Sequence, residues 1–77
     1  NFEGADLSGV RFKDCDLSGA TLTGAKLAGT DFRGSTIDGL AVTAADLRGA
    51  IFTSAQAVQV SALLGIVIEE EGREAWE

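Results

Sequence analysis

The sequence predicts a solenoid, a square parallel β-helix with twenty residues to a coil, and three observations predict it. Large apolar residues recur every five positions without a miss: Phe2, Leu7, Phe12, Leu17, Leu22, Leu27, Phe32, Ile37, Val42, Leu47 and Phe52. A mostly small residue stands two positions before each from Leu7 onward, as in Ala5, Cys15, Thr30, Ser35 and Ala50. Glycine stands two positions after most of them, with Asp14, Ala44 and Ser54 as the exceptions. A period of five matches neither the 3.6 of a helix nor the 2 of a strand, so it belongs to a repeat architecture.

Each block must send one large and one small side chain inward and then turn a corner at glycine, which takes a positive φ without steric cost. Four corners close a square. Folding the chain at twenty stacks Phe2/Leu22/Val42, Leu7/Leu27/Leu47, Phe12/Phe32/Phe52 and Leu17/Ile37 in four inward columns. Neighbouring coils then pair backbone to backbone at about 4.8 Å. The repeat fills residues 1–54, a little under three coils, and residues 55–77 form a separate C-terminal segment.

The blocks "ADLSG", "CDLSG", "AKLAG", "TDFRG" and "ADLRG" resemble the A-(D/N)-L-x-x unit of pentapeptide-repeat proteins. That resemblance covers residues 1–54 and implies a right-handed quadrilateral β-helix, in agreement with the columns. It implies no particular function.

A globular core is marginal at 77 residues; a solenoid gains by stacking but needs its ends closed. The repeat is in register from Phe2 with nothing like a cap before it, so the chain reads as the C-terminal part of a longer solenoid, or as one whose open end a partner covers. There is no apolar run of spanning length and no signal peptide, which makes a cytoplasmic protein without a membrane segment the default expectation. With one Cys and no His, an intrachain disulfide is excluded and a metal site or other cofactor is not expected. Cys15 reads as a small inward filler beside Ser35.

Net charge is −6, unevenly placed. Residues 1–54 carry seven acids and five bases, and residues 55–77 carry five acids and Arg73. Direct nucleic-acid binding is disfavoured, because neutralising phosphates takes clustered Lys and Arg. The fold at twenty also sorts the outward residues by wall. One wall, with Thr21, Thr23 and Thr43, is nearly neutral. The next mixes Asp6, Lys26, Asp46 and Arg48. The third, with Arg11, Lys13, Asp31 and Arg33, is slightly basic. The fourth carries Asp16 and Asp38 with Asp14 at its edge, and no base offsets them. Those three acids are the candidate partner-binding residues, followed by Asp46 and Asp6. Solvated surface or turn carboxylates are the plain alternative.

After Phe52 the period breaks. Thr53 and Gln56 have the spacing of a capping box, and residues 54–64 read as a helix of about three turns closed by Gly65. The helix is apolar over most of its circumference and therefore expected to be buried on more than one face. A short strand is expected at Gly65–Ile68, followed by an acidic tail that includes Trp76. Either helix and strand simply close the last coil, or they join two copies as a homodimer through Val60, Leu63, Leu64, Ile66 and Ile68.

The stretch "SAQAVQVSALLGIVI" is similar to the end of the Qnr and MfpA quinolone-resistance proteins. This second resemblance implies a dimer contact there and an acidic rod that imitates duplex DNA in the groove of DNA gyrase. No nucleophile with a base and no phosphate loop is visible, so no enzyme is expected. Two functions stay open: a DNA-mimicking binder of a type II topoisomerase that protects against quinolone-type inhibitors, and a structural or protein-interaction scaffold for another partner.

Overall fold

The computed structural model describes residues 1–70. Its stacking follows the twenty-residue register. Parallel bridges join Asp6 to Lys26, Arg11 to Asp31, Asp16 to Thr36, Thr21 to Ala41 and Asp31 to Ile51. Two kinds of rung repeat. The backbone N–H groups of Phe2, Leu7, Phe12, Leu17 and Leu22 donate to carbonyls nineteen residues on, at 2.8–2.9 Å. The carbonyls of Ala5, Val10, Cys15, Ala20 and Thr30 accept the N–H twenty-one residues on, also at 2.8–2.9 Å.

The expectation of an all-β fold needs one correction. Among the described residues the pairing consists of isolated bridges, and the only named elements are a 3₁₀ turn at Ala45–Leu47 and a helix, α1, at Ser54–Leu63. The period itself explains this. With a corner every five residues, a wall is too short to extend a ladder beyond one bridge before the chain turns.

Inside, Phe12, Phe32 and Phe52 lie one above another with ring centroids 5.5 and 5.0 Å apart and planes within 16° and 8° of parallel. Leu22, Leu27, Phe32 and Ile37, the four large residues of the second coil, are sealed from solvent. Phe2, Leu7 and Phe12 above them and Val42, Leu47 and Phe52 below are only partly covered, as the end layers of a short stack must be. The buried Thr30 hydroxyl donates to the Leu7 carbonyl at 2.7 Å, so a polar group in the small column is satisfied by the coil above.

Most corners are turns closed by a hydrogen bond from the third residue after the large one, as from Ala5 to Phe2 and from Thr30 to Leu27. The repeat's corner glycines all sit at φ between 68° and 87°. The three corners without glycine each take a different course, and in each a side chain stands in for a missing backbone bond.

At the first, Asp14 itself takes the left-handed conformation, φ 55°, which Asp tolerates better than most residues. The Ser35 hydroxyl then inserts into the opened corner: it donates to the Phe12 carbonyl at 2.9 Å and accepts the Cys15 N–H at 3.2 Å. Cys15 is half-buried and its thiol donates to the Lys13 carbonyl. Replacing Asp14 by Gly is expected to raise stability by up to about 1 kcal/mol, since it relieves the left-handed penalty. A thermal melt tests this, and a lower melting midpoint would refute it.

At the second, Ala44 stays right-handed (φ −58°, ψ −39°), and the chain runs into the 3₁₀ turn instead of a corner. Thr43 and Asp46 bracket that turn reciprocally: the Thr43 N–H donates to the Asp46 carboxylate at 3.1 Å, and the Asp46 N–H to the Thr43 hydroxyl at 3.3 Å. Consequently no bridge joins Lys26 to Asp46 among the described residues, and the third coil rejoins the register only at Ile51.

At the third, Ser54 begins α1. Thr53 and Gln56 form the expected capping box, with Gln56 N–H to the Thr53 hydroxyl at 3.1 Å and Thr53 N–H to the Gln56 side-chain oxygen at 2.9 Å. The helix ends in a Schellman arrangement: Gly65, φ 81°, donates to the Ala62 carbonyl and Ile66 to that of Ser61.

Within its own chain the helix buries one side, through Gln56 and Val60, and leaves Ala55, Ala57, Val58 and Ala62 exposed. One further expectation fails here. The expected strand at Gly65–Ile68 does not form: the Gly65 and Ile66 N–H groups close the helix end, and no bridge pairs the residues after them. Trp76 and the tail from residue 71 fall outside the described residues.

Candidate functional site

The fourth wall is built from residues 15–19 of one coil and 35–39 of the next, held by the Asp16–Thr36 bridge and by the Gly19 N–H on the Asp38 carbonyl at 2.8 Å. Asp16 projects from its middle. Its carboxylate accepts the Ser18 N–H at 3.0 Å, and hydrogen bonds from Ser18 hold its pKa below the ordinary value. Asp38 accepts from the Gln59 side chain at 2.8 Å, which ties the lower end of the wall to α1. Asp14 stands at the wall's upper edge, in the left-handed corner already described.

Asp6 and Asp46 belong to a different wall. Asp6 accepts the Ser8 N–H at 3.1 Å and faces Lys26 across its bridge, and the bonds from Ser8 with the Lys26 charge lower its pKa. The Asp46 carboxyl is lowered by the Thr43 side chain first, and then by the backbone N–H groups of Gly24 and Thr43. Gly4, Gly9 and Gly19 donate to carbonyls of the coil below. Of the five candidate acids, the fold groups Asp14, Asp16 and Asp38 and separates Asp6 and Asp46 from them.

Sequence reasoning missed the strongest electrostatic feature. On the third wall Arg33 clasps Asp31 with Nε at 3.0 Å and a terminal nitrogen at 2.8 Å, while its own N–H donates to the same carboxylate at 3.0 Å. These bonds, with the Arg33 and Arg11 charges, bring the Asp31 pKa from 3.8 to about 2. The D-x-R spacing with both residues outward was the available signal.

These depressed carboxyls bind protons more weakly folded than unfolded. Their stabilising contribution is therefore complete above the ordinary carboxylate value and is lost as pH falls, for Asp31 down to about 2. We expect the urea midpoint to drop between about pH 4 and about pH 2, and to drop less in Asp31→Asn. Equal slopes in the two proteins would refute the assignment.

The five apolar residues considered for a dimer contact divide. Val60 is 7% exposed within its own chain, and Leu63 and Leu64 pack partly against the same core. Ile66 and Ile68 are more than half exposed, as are Val58 and Val67, neither of which was singled out from the sequence. Among the described residues no helix is long and apolar enough to cross a membrane.

A stack of five-residue blocks, four to a coil, with small residues and corner glycines between large apolar plugs, defines a pentapeptide solenoid. The family model for pentapeptide repeats (8 copies) matches residues 1–39 and again residues 15–53, and the chain belongs to that family. No curated protein and no solved structure matches it significantly.

Proposed function

We propose that the chain is a non-enzymatic binding solenoid, wound right-handed, that docks a basic protein surface through the wall bearing Asp14, Asp16 and Asp38. The observation that carries this is the fixing of Asp16 and Asp38 on a wall without a base. A carboxylate already held by Ser18 or Gln59 loses little side-chain entropy on meeting a cation. Fixed negative charges on a rigid rod reverse the usual roles in DNA recognition, so a protein surface made for phosphates is the natural partner. The partner we propose, on the C-terminal resemblance read from the sequence, is the DNA groove of gyrase, with protection against quinolone-type inhibitors as the consequence.

The test is a gyrase supercoiling and cleavage assay, with and without a quinolone, using the natural chain and Asp16→Asn/Asp38→Asn. The natural chain is expected to alter drug sensitivity and the double variant to lose the effect. Supercoiling, cleavage and drug response all unchanged by the natural chain would remove gyrase from the reading. The mixed walls favour a second reading, a scaffold for another protein, since Lys26, Arg48, Arg11 and Lys13 break the acidic character. Recovery of a different partner whose binding does not need Asp16 and Asp38 supports that one. A homodimer joined through the exposed Ile66, Ile68 and Val58 accompanies either reading. Light scattering at micromolar concentration tests it, and a monomer would refute it.

A further inference from the structure

We propose that the Asp38–Gly39 corner is a self-modification site, at which the Gly39 amide nitrogen closes on the Asp38 carboxyl carbon and converts the residue to isoaspartate. The reaction needs no partner on that wall. It needs a carboxyl within ring-closing reach, a following residue with no side chain in the way, and an amide that nothing else holds.

Asp38 alone among the aspartates of the chain is followed by glycine. The others precede Leu7, Cys15, Leu17, Phe32 and Leu47, and each of those amides is engaged. Leu7, Leu17 and Phe32 donate to the carbonyls of Lys26, Thr36 and Ile51 at 2.8–2.9 Å. Leu47 donates to the Ala44 carbonyl at 3.2 Å, and Cys15 to the Ser35 hydroxyl at 3.2 Å. The Gly39 N–H meets no acceptor among the described residues.

This corner is also the loose one. At every other corner glycine of the repeat the next residue closes the turn, as Ala20 does on Leu17 and Ala50 on Leu47. Among the described residues Leu40 makes no such bond to the Ile37 carbonyl. An open turn leaves its central peptide free to rotate toward the carboxyl beside it. Asp38 and Gly39 are both exposed, and the carboxylate is held only by the Gln59 side chain at 2.8 Å.

In the first step the carboxyl group, protonated from solvent, gains a bond to the Gly39 nitrogen. Its hydroxyl and the amide proton leave together as water. Water then opens the five-membered imide at either carbonyl and restores Asp38 or gives isoaspartate. In isoaspartate the main chain runs through the former side-chain carbon, which lengthens the corner by one atom. The old backbone carbonyl, which accepts the Gly19 N–H at 2.8 Å, becomes a free carboxylate. Both the rung to Gly19 and the tie to Gln59 must then be remade.

The experiment incubates the full chain in neutral buffer made with water enriched in oxygen-18, beside a synthetic peptide of residues 34–48. Trypsin digestion and mass spectrometry then locate the label, because each ring opening leaves one heavy oxygen on the residue. Label is expected at residue 38 of the folded chain at a rate within roughly tenfold of the free peptide. Reaction only through an unfolded fraction of about one in a thousand would be far slower than that. Asp6, Asp14, Asp16, Asp31 and Asp46 are expected to stay unlabelled over the same period. Slower labelling at residue 38, or equal labelling at the other aspartates, overturns the proposal.

Discussion

Phe32→Ala is expected to remove a large part of the chain's stability. Phe32 is fully buried, and its ring is stacked on Phe12 above and Phe52 below. Truncating a buried Phe to Ala costs about 3–5 kcal/mol, because a cavity remains where the ring was. A folded chain of this length is held by roughly 4–12 kcal/mol in all. Relaxation cannot recover much, since hydrogen-bonded coils fix the column from above and below. Phe2→Ala makes the control: Phe2 is only partly covered and meets a single ring edge-on, Phe12 at 5.9 Å. Its cost should be well under half as large. Urea denaturation followed by circular dichroism separates the two, and equal, small losses would show that the aromatic column is not the core.

Gly49→Ala should be the most damaging of the corner substitutions. Gly49 has φ 80°, and a Cβ there would lie 3.2 Å from the Ala28 Cα, a backbone atom that cannot swing aside. The left-handed backbone alone costs an L-residue roughly 1–2 kcal/mol. Overpacking adds about 1–3 kcal/mol. Gly34→Ala isolates the first contribution, because Gly34 has φ 87° and nothing within 4 Å of its absent Cβ. The difference between the two variants therefore measures how tightly the third coil is pressed on the second. That closeness arises where the register is disturbed: Gly29 donates to Gly49 at 2.9 Å, one residue later than the spacing elsewhere. Equal stability losses at the two glycines would mean that the coils yield there.

Much of this could be read from the chain before any coordinates. The Phe12/Phe32/Phe52 column, the corner glycines, the Thr53–Gln56 capping box and the helix end at Gly65 all follow from spacing, because each is a contact at a constant separation along the chain. The candidate acids were legible only in part. Asp16 and Asp38 share a wall as the fold at twenty requires, but nothing local marks Asp46 as the bracket of the Thr43 turn, or Gln59 as a partner for Asp38. Which side of α1 meets the coils was not legible for a related reason. A nearly uniform apolar helix does not say which face the last coil covers, and the coil chose Gln56 and Val60.

Composition and period by themselves determined the four-column core and the twenty-residue register, since a five-residue spacing of large side chains has few ways to be buried. Only the tertiary structure decided what happens where the repeat lapses. At Asp14, Ala44 and Ser54 the missing bonds are supplied by Ser35, Asp46 and Gln56. The physical reason is that backbone groups inside a stack must be satisfied, and the nearest side chain able to do it is set by the neighbouring coil, which sequence order does not reveal.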